Sequence, residues 1–256
     1  MTGETHRAGG VLCSVVGFAL LRNNGLLLPD VNQFVQLAVI YPYCYWASTA
    51  SDLDHHWQSC PSKDIPSWCI NKVLHLTSSV NKKMDKKMTE SEKRKSTHYK
   101  LVSMFNAKHR SWQTHSDLTL LLMLYLLYSV MSGKFSGFGV VDTAILSLIL
   151  TGVCLGIVAH FILDMLTPEG VWCLSFMVIN KMISKLVHKN VHLLPEKIHF
   201  VPKMKCFATD SDWELFIRKL LKVLTVVSVL YVLFWIAFPD LIPNILNAFP
   251  YEITFK

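Results

Sequence analysis

Charged side chains are scarce in this sequence. Asp, Glu, Lys and Arg make up 17% of its 256 residues, against 52% apolar residues, and the mean hydropathy is +0.35. So little charge does not coat an ordinary soluble domain, and it points to a small polytopic membrane protein. Paired cysteines are missing too. The seven cysteines (13, 44, 60, 69, 154, 173 and 206) contain no C-x-x-C pair. Three lie in apolar stretches, where a thiol behaves as a small hydrophobe. Cys60 and Cys69 share a loop that the charge pattern below assigns to the reducing cytoplasm, so no disulfide framework is implied. Finally, no A-x-A-type cleavage site follows the first apolar run, Val11 to Leu21. That run is therefore expected to be retained rather than removed as a signal peptide.

What is present is a succession of apolar runs. Val11 to Leu21 falls short of the roughly 20 residues that span a bilayer alone, so it extends through Leu28 or dips in and returns. Phe34 to Trp46 ends in Tyr41, Tyr43, Tyr45 and Trp46, as expected near a headgroup interface. The two form a helical hairpin turning around Asn23, Asn24 and Gly25. Leu118–Val130 and Val140–Leu163 follow, separated by the short SGKFSGFG connection. The apolar stretch from Val171 to Ile183, interrupted by Asn180 and Lys181 and followed by Lys185, reads as an interfacial helix. Lys197 to Phe207 reads as extended surface structure. Ser211 or Asp212 caps the last span, Leu220 to Ile242, which Pro239 and Pro243 end. The expected fold is all-α: a polytopic membrane helical bundle of about four to five membrane segments. Residues 1–256 form one domain, with a basic cytoplasmic insertion around 60–105.

Basic residues orient the chain. Segment 49–117 holds twelve Lys and Arg and segment 167–219 holds eight, whereas connection 131–139, the hairpin turn and the tail after Ile242 hold one each. By the positive-inside rule both rich segments are cytoplasmic. The formal charge of +7 flanks apolar spans, so its expected partner is the bilayer surface and no nucleic acid is expected. Lys82 to Lys100, dense in lysine with no apolar face, reads as a solvated helix or loop beside anionic lipid headgroups.

The candidate chemistry gathers at the cytoplasmic ends of these segments. In GIVAHFILDMLTPEGV (156–171), His160 and Asp164 are four residues apart and share a helix face, with Cβ atoms about 5–6 Å apart. Such a pair can bind one metal ion, or bond only to each other, or cap neighbouring helices. TPEG stops the helix, since Pro168 disfavours α for Thr167 and Gly170 permits a tight turn. SDLDHHW crowds Asp52, Asp54, His55 and His56 together after an apolar run, where an ordinary interfacial loop is the plain alternative. HRSWQTHSD brings His109, Arg110, His115 and Ser116 just ahead of another run. His6 sits before the first. Charge bias and ligand position are independent features, and their agreement favours one shared site.

Together THRAGG, SDLDHHWQS, HRSWQTHSD and GIVAHFILDMLTPEGV resemble the ordered motifs of the YdjM-like family. These are bacterial inner-membrane proteins regarded as metal-dependent hydrolases and also described as LexA-binding. The family's THxxxG opening maps to His6 and Gly10, and its aspartate block to Asp52, Asp54 and His55. The HRGxTHS block maps to His109, Arg110, Thr114, His115 and Ser116. The last block maps to His160, Asp164, Thr167, Gly170 and Val171, and FATDSDWE is similar to a TGS-x-x-E segment through Thr209, Ser211 and Glu214. The resemblance runs from residue 4 to about 220. Ser51, His56 and Ser111 replace the family's usual Pro, Pro and Gly, and the basic stretch is long; no ligand-type residue is lost.

The resemblance implies a bacterial inner-membrane, multi-pass protein with its site on the cytoplasmic face. It implies a divalent metal, zinc with manganese as the alternative, held by residues drawn from His6, Asp54, His55, His109, His115, His160 and Asp164. Asp52, Arg110 and Ser116 are the candidate catalytic residues. Asp52 would accept a proton, and Arg110 would hold an anion such as a phosphodiester bidentately. The expected function is hydrolysis of a phosphoester, such as a lipid or lipid-linked substrate, by a metal-activated water. The alternative is a non-catalytic metal-binding membrane adaptor or regulator.

Overall fold

The computed structural model describes residues 2–50, 52, 65–99, 116–134, 143–167, 170–188, 193–198 and 211–238. The described chain is mostly helical, in the order α1 (Gly3–Asn23), α2 (Gln33–Ala50), α3 (Ile65–Lys87), α4 (Glu90–Lys95), α5 (Asp117–Met131), α6 (Thr143–Met165), β1 (Val171–Trp172), α7 (Leu174–Val187), β2 (Lys197–Ile198) and α8 (Asp212–Ala237). The bundle is organised around α6, which packs against α1, α2 and α5, while α1 also packs against α2 and α8.

Close packing of α6 on α2 follows from small residues rather than from hydrophobicity, which drives nothing between helices in lipid. Gly152 and Gly156 form a G-x-x-x-G step on α6. A Cβ added at Gly156 would meet the Cys44 carbonyl oxygen at 2.5 Å and the Ala47 Cβ at 2.7 Å. The glycine thus lets the two backbones touch, two turns before the end of α6. Farther along the bundle Val15, Phe18, Ile40, Leu148 and Val232 fill the space between α1, α2, α6 and α8. Ile157, Phe161 and Val171 pack with Leu120 and Met123 of α5.

The expected hairpin is present. α1 ends at Asn23, Gly25 takes φ +65°, and α2 begins at Gln33. Buried Gln36 fixes the connection: its amide donates to the Leu28 and Val31 carbonyls at 2.7 Å, and its oxygen accepts from the Leu28 N–H at 3.0 Å. An irregular segment beside a bilayer needs such partners for its backbone groups.

Among the described residues two helices are long and apolar enough to cross a membrane, α6 and α8, with mean hydropathies of 2.4 and 2.0; α5 is apolar but shorter. Half of the apolar stretch of α6 is buried against only 6% of that of α8, so α6 is the bundle's centre and α8 turns its side chains outward. The sequence places the last span over Leu220–Ile242. The helix starts at the expected cap, where the Ser211 hydroxyl accepts from the Glu214 N–H at 3.2 Å, but it ends before Ile242: its C-cap is Phe238, the residue before Pro239. The expected interfacial helix is α7, beginning three residues later than the apolar run because Val171 and Trp172 pair antiparallel with Ile198 and Lys197. Nothing in the sequence announces that pairing, since two residues of strand leave no period to read.

In the basic insertion, the start of α3 meets α2, where Trp46 Nε1 donates to the buried Ser67 hydroxyl at 2.9 Å. Thr89 and Glu92 form a capping box at the start of α4. A hydrogen bond from Tyr99 and the nearby Lys93 hold exposed Asp85 below the usual carboxylate range. Exposed pairs of this kind add little stability.

Candidate metal centre

Four helix ends meet at one end of the bundle. α1 and α8 start there, and α2 and α6 finish there. His6 comes from the first turns of α1, and His160 and Asp164 from the last turns of α6. All three side chains are buried, at 1%, 0% and 1% exposure. The His160 Nε2 lies 3.1 Å from Asp164 Oδ2, and the His6 Nε2 lies 3.4 Å from Asp164 Oδ1. The two imidazoles stack with centroids 4.0 Å apart and planes inclined by 18°. One ligand atom from each residue lies within 4.8 Å of the others.

Backbone geometry aims these groups. On α6 the residues Gly152, Gly156, His160 and Asp164 repeat every four positions, so the stripe that presses on α2 also carries the two ligand-type residues. The His160 Nδ1 lies 2.7 Å from the Ser48 carbonyl oxygen. That oxygen can only accept, so Nδ1 carries a hydrogen, and in the neutral ring Nε2 turns its lone pair inward. His6 and Gly10 are likewise four apart on α1. A Cβ at Gly10 would meet Ser48 Oγ at 2.5 Å, so the glycine is what allows α1 to lie against the segment that orients His160.

A second constraint reaches His6 from α8. Buried Glu214 accepts hydrogen bonds from Thr2 Oγ1 at 2.8 Å and Thr5 Oγ1 at 2.7 Å, and from the Thr2 backbone N–H. It thereby ties the first turn of α1, including the residue next to His6, to the start of the last helix. Glu214→Ala is expected to weaken metal binding about ten-fold, the low end of effects seen for supporting groups. Glu214→Gln keeps an acceptor oxygen and should retain most of the affinity. Metal titration of the purified variants checks both.

The arrangement fits a divalent cation. With the Nδ1 hydrogen given to Ser48, the His160 Nε2 faces a carboxylate, lone pair toward lone pair, unless a proton or a metal lies between them. Among the described residues the buried His6 Nδ1 has no hydrogen-bond partner. Ligand atoms about 2.0–2.2 Å from a tetrahedral ion sit roughly 3.3–3.5 Å apart, close to the two separations seen here. Imidazole and carboxylate are donors that zinc accepts readily. An ionisable cluster at the end of a membrane helix is expensive unless it serves such a site.

Of the other residues singled out in the sequence, Asp52 lies beside this group. It is 8% exposed, and its charge acts on both His6 and His160. Ser116 is buried, its backbone bridges to Trp172, and among the described residues its hydroxyl has no hydrogen-bond partner. Asp54, His55, His109, Arg110 and His115 lie outside the described residues, as do Thr114 and Thr209. Of the remaining motif residues, Thr167 donates to the Asp164 carbonyl at 2.7 Å and closes α6, Gly170 takes φ +63°, and Val171 is buried in the core. These three end the helix and seat the turn.

Two supporting residues escape a reading of the sequence. The Ser48 carbonyl is a backbone group and leaves no residue-type signal. Asp117 accepts from the Leu174 N–H at 2.8 Å and the Ser175 N–H at 3.2 Å, and from the Ser175 hydroxyl, so it caps α7 from a distant segment. An acid directly ahead of an apolar run is the one available hint, and it suggests capping of its own helix.

A family model described as YdjM inner membrane protein matches residues 1–238. No curated protein and no solved structure matches the chain. The matched region holds the two spanning-length helices and all three residues of the buried cluster, and the chain belongs to the YdjM family of inner membrane proteins.

Proposed function

We propose that this protein is a membrane-bound metal-dependent hydrolase that acts on a phosphoester such as a lipid or lipid-linked substrate. The observation that carries the proposal is the buried His6–His160–Asp164 cluster with His160 oriented by the Ser48 carbonyl. Among the described residues three ligand-type side chains converge, and with one position left to water they would match the pattern of catalytic rather than structural zinc, with manganese as the alternative ion. When bound, such an ion polarises a phosphoryl oxygen and lowers the pKa of a coordinated water from 15.7 to about 7. Around it the chain's own residues have distinct tasks. Asp52 accepts a proton from the attacking water, Arg110 orients the anionic substrate bidentately, and Ser116 lies on the same side of the bundle. Asp54, His55, His109 and His115 come from segments that flank the site in sequence and would complete or double the ligand set.

The helix ends that meet at the cluster adjoin the two basic segments, 49–117 and 167–219. The positive-inside rule then puts the site on the cytoplasmic face of the bacterial inner membrane, in a single multi-pass domain of four to five segments. The insertion around 60–105 would lie along anionic headgroups. One observation favours the alternative, a non-catalytic adaptor or regulator: the three ligands are almost fully buried, which narrows any path for substrate. Assays of the purified protein against a panel of lipid phosphoesters separate the two. A hydrolase loses turnover on chelation and regains it with zinc or manganese; a fully metallated protein inert toward the panel supports the adaptor.

A further inference from the structure

Two thiols meet inside the bundle, about two helical turns below the metal centre. On α1, His6, Gly10 and Cys13 share one helix face, and on α2 Cys44 lies one turn before Ser48. Gly10 brings the two helices together: a Cβ there would meet the Cys44 carbonyl oxygen at 3.2 Å. Cys13 and Cys44 are thereby near enough to hydrogen-bond to each other. The fold makes this pair, since the two residues are far apart in the sequence. Each thiol also has a backbone acceptor, Cys13 the Leu155 carbonyl at 3.3 Å and Cys44 the Gly10 carbonyl at 3.1 Å. A thiol is a weak donor, so these contacts set the rotamers without locking them. The chemistry proposed for the metal centre uses neither thiol.

Access differs between the two. Cys44 is buried, while Cys13 is partly exposed. Val16 and Leu20, three and seven residues on, continue its face of α1 and are 40% and 58% exposed. In a membrane protein such an apolar face meets lipid. α1 starts at Gly3, so at 1.5 Å per residue Cys13 lies about 15 Å along it, away from water-soluble thiols. Reagents that reach it there are lipid-soluble. We propose that Cys13 and Cys44 form a redox-active dithiol that a membrane quinone oxidises to a disulfide. Each sulfur gives up one hydrogen and one S–S bond forms. The quinone takes both electrons and both protons and leaves as the quinol. Helices in backbone contact, with thiol facing thiol, suit the short Cα separation a disulfide demands, about 4.4–6.8 Å. The bridge would tie α1 to α2 beneath His6 and Ser48, and it does not depend on how the metal centre is used.

The test uses reduced full-length protein in phosphatidylcholine nanodiscs, treated with decylubiquinone, whose fully substituted ring does not alkylate thiols. After free thiols are blocked and the protein is denatured, trypsin cuts at Arg7, Arg22 and Lys63. Mass spectrometry without reductant should show peptide 8–22, carrying Cys13, joined to peptide 23–63, carrying Cys44, with two hydrogens lost. Roughly one quinol should form per linked protein, as a two-electron couple requires. Cys60→Ser removes the other cysteine of peptide 23–63 and should keep the link. Cys44→Ser should abolish it. Separate peptides with both thiols blocked after quinone treatment of the wild type would overturn the proposal, as would a link that survives Cys44→Ser. Linking by water-soluble glutathione disulfide as fast as by the quinone would also overturn it, since the pair would then answer to the aqueous phase.

Discussion

Replacing His160 with Ala is expected to remove the ion held at the cluster and to lower the yield of folded protein. His160 supplies one of three ligand atoms, is fully buried, and has its ring fixed by the Ser48 carbonyl at 2.7 Å. Even supporting residues cost about 10–100-fold in metal affinity when removed, so loss of a ligand should exceed that range. Binding energy at such a site is also folding energy. The substitution further leaves Asp164 buried beside a single imidazole, and breaking a buried charged pair costs about 3–5 kcal/mol in soluble proteins. Metal analysis and a thermal melt of the same preparation check both parts. A His160→Ala protein that keeps full metal and wild-type melting would remove His160 from the centre.

Asp52→Asn is expected to do the opposite. Asp52 is not among the three ligands that converge, yet its charge reaches both imidazoles, which places it where a proton acceptor would be useful. Asn has the same shape and cannot take the proton. The variant should therefore keep most of its metal and its melting temperature while losing about 10²–10⁴-fold in hydrolysis, the usual worth of a general base. Steady-state rates with a lipid phosphoester, normalised to metal content, give the answer. If Asp52→Asn loses metal as fully as His160→Ala, Asp52 is a ligand; if turnover is unchanged, it is not the base.

Much of the centre is legible from spacing. His160 and Asp164 share a helix face because they are four residues apart, and the structure adds that Gly156 and Gly152 continue the same stripe into the contact with α2. His6 can be linked to them only through charge topology and the family resemblance, because it lies more than 150 residues away in the chain. Its meeting with Asp164 needs α1 and α6 to run antiparallel with small residues between the backbones. The role of Glu214 is out of reach for a different reason. A glutamate at the third position of a helix reads as a local cap, and nothing local says that its carboxylate accepts from Thr2 and Thr5 instead. The hairpin turn at Gly25 and the start of α8 are legible from turn and capping chemistry. The strand pair Val171–Trp172 with Lys197–Ile198 is not, being too short to carry a pattern.

The most direct test of the metal centre is the amount of zinc bound by wild type and by Asp164→Asn, purified alike, stripped and refilled. The substitution preserves the shape of the side chain but not the charge that faces both histidines. The expected result is a full equivalent of tightly bound zinc in the wild type and little or none in the variant, with both proteins folded. A wild type that takes up no zinc or manganese, or a variant that binds as much as the wild type, would contradict a centre built on His6, His160 and Asp164.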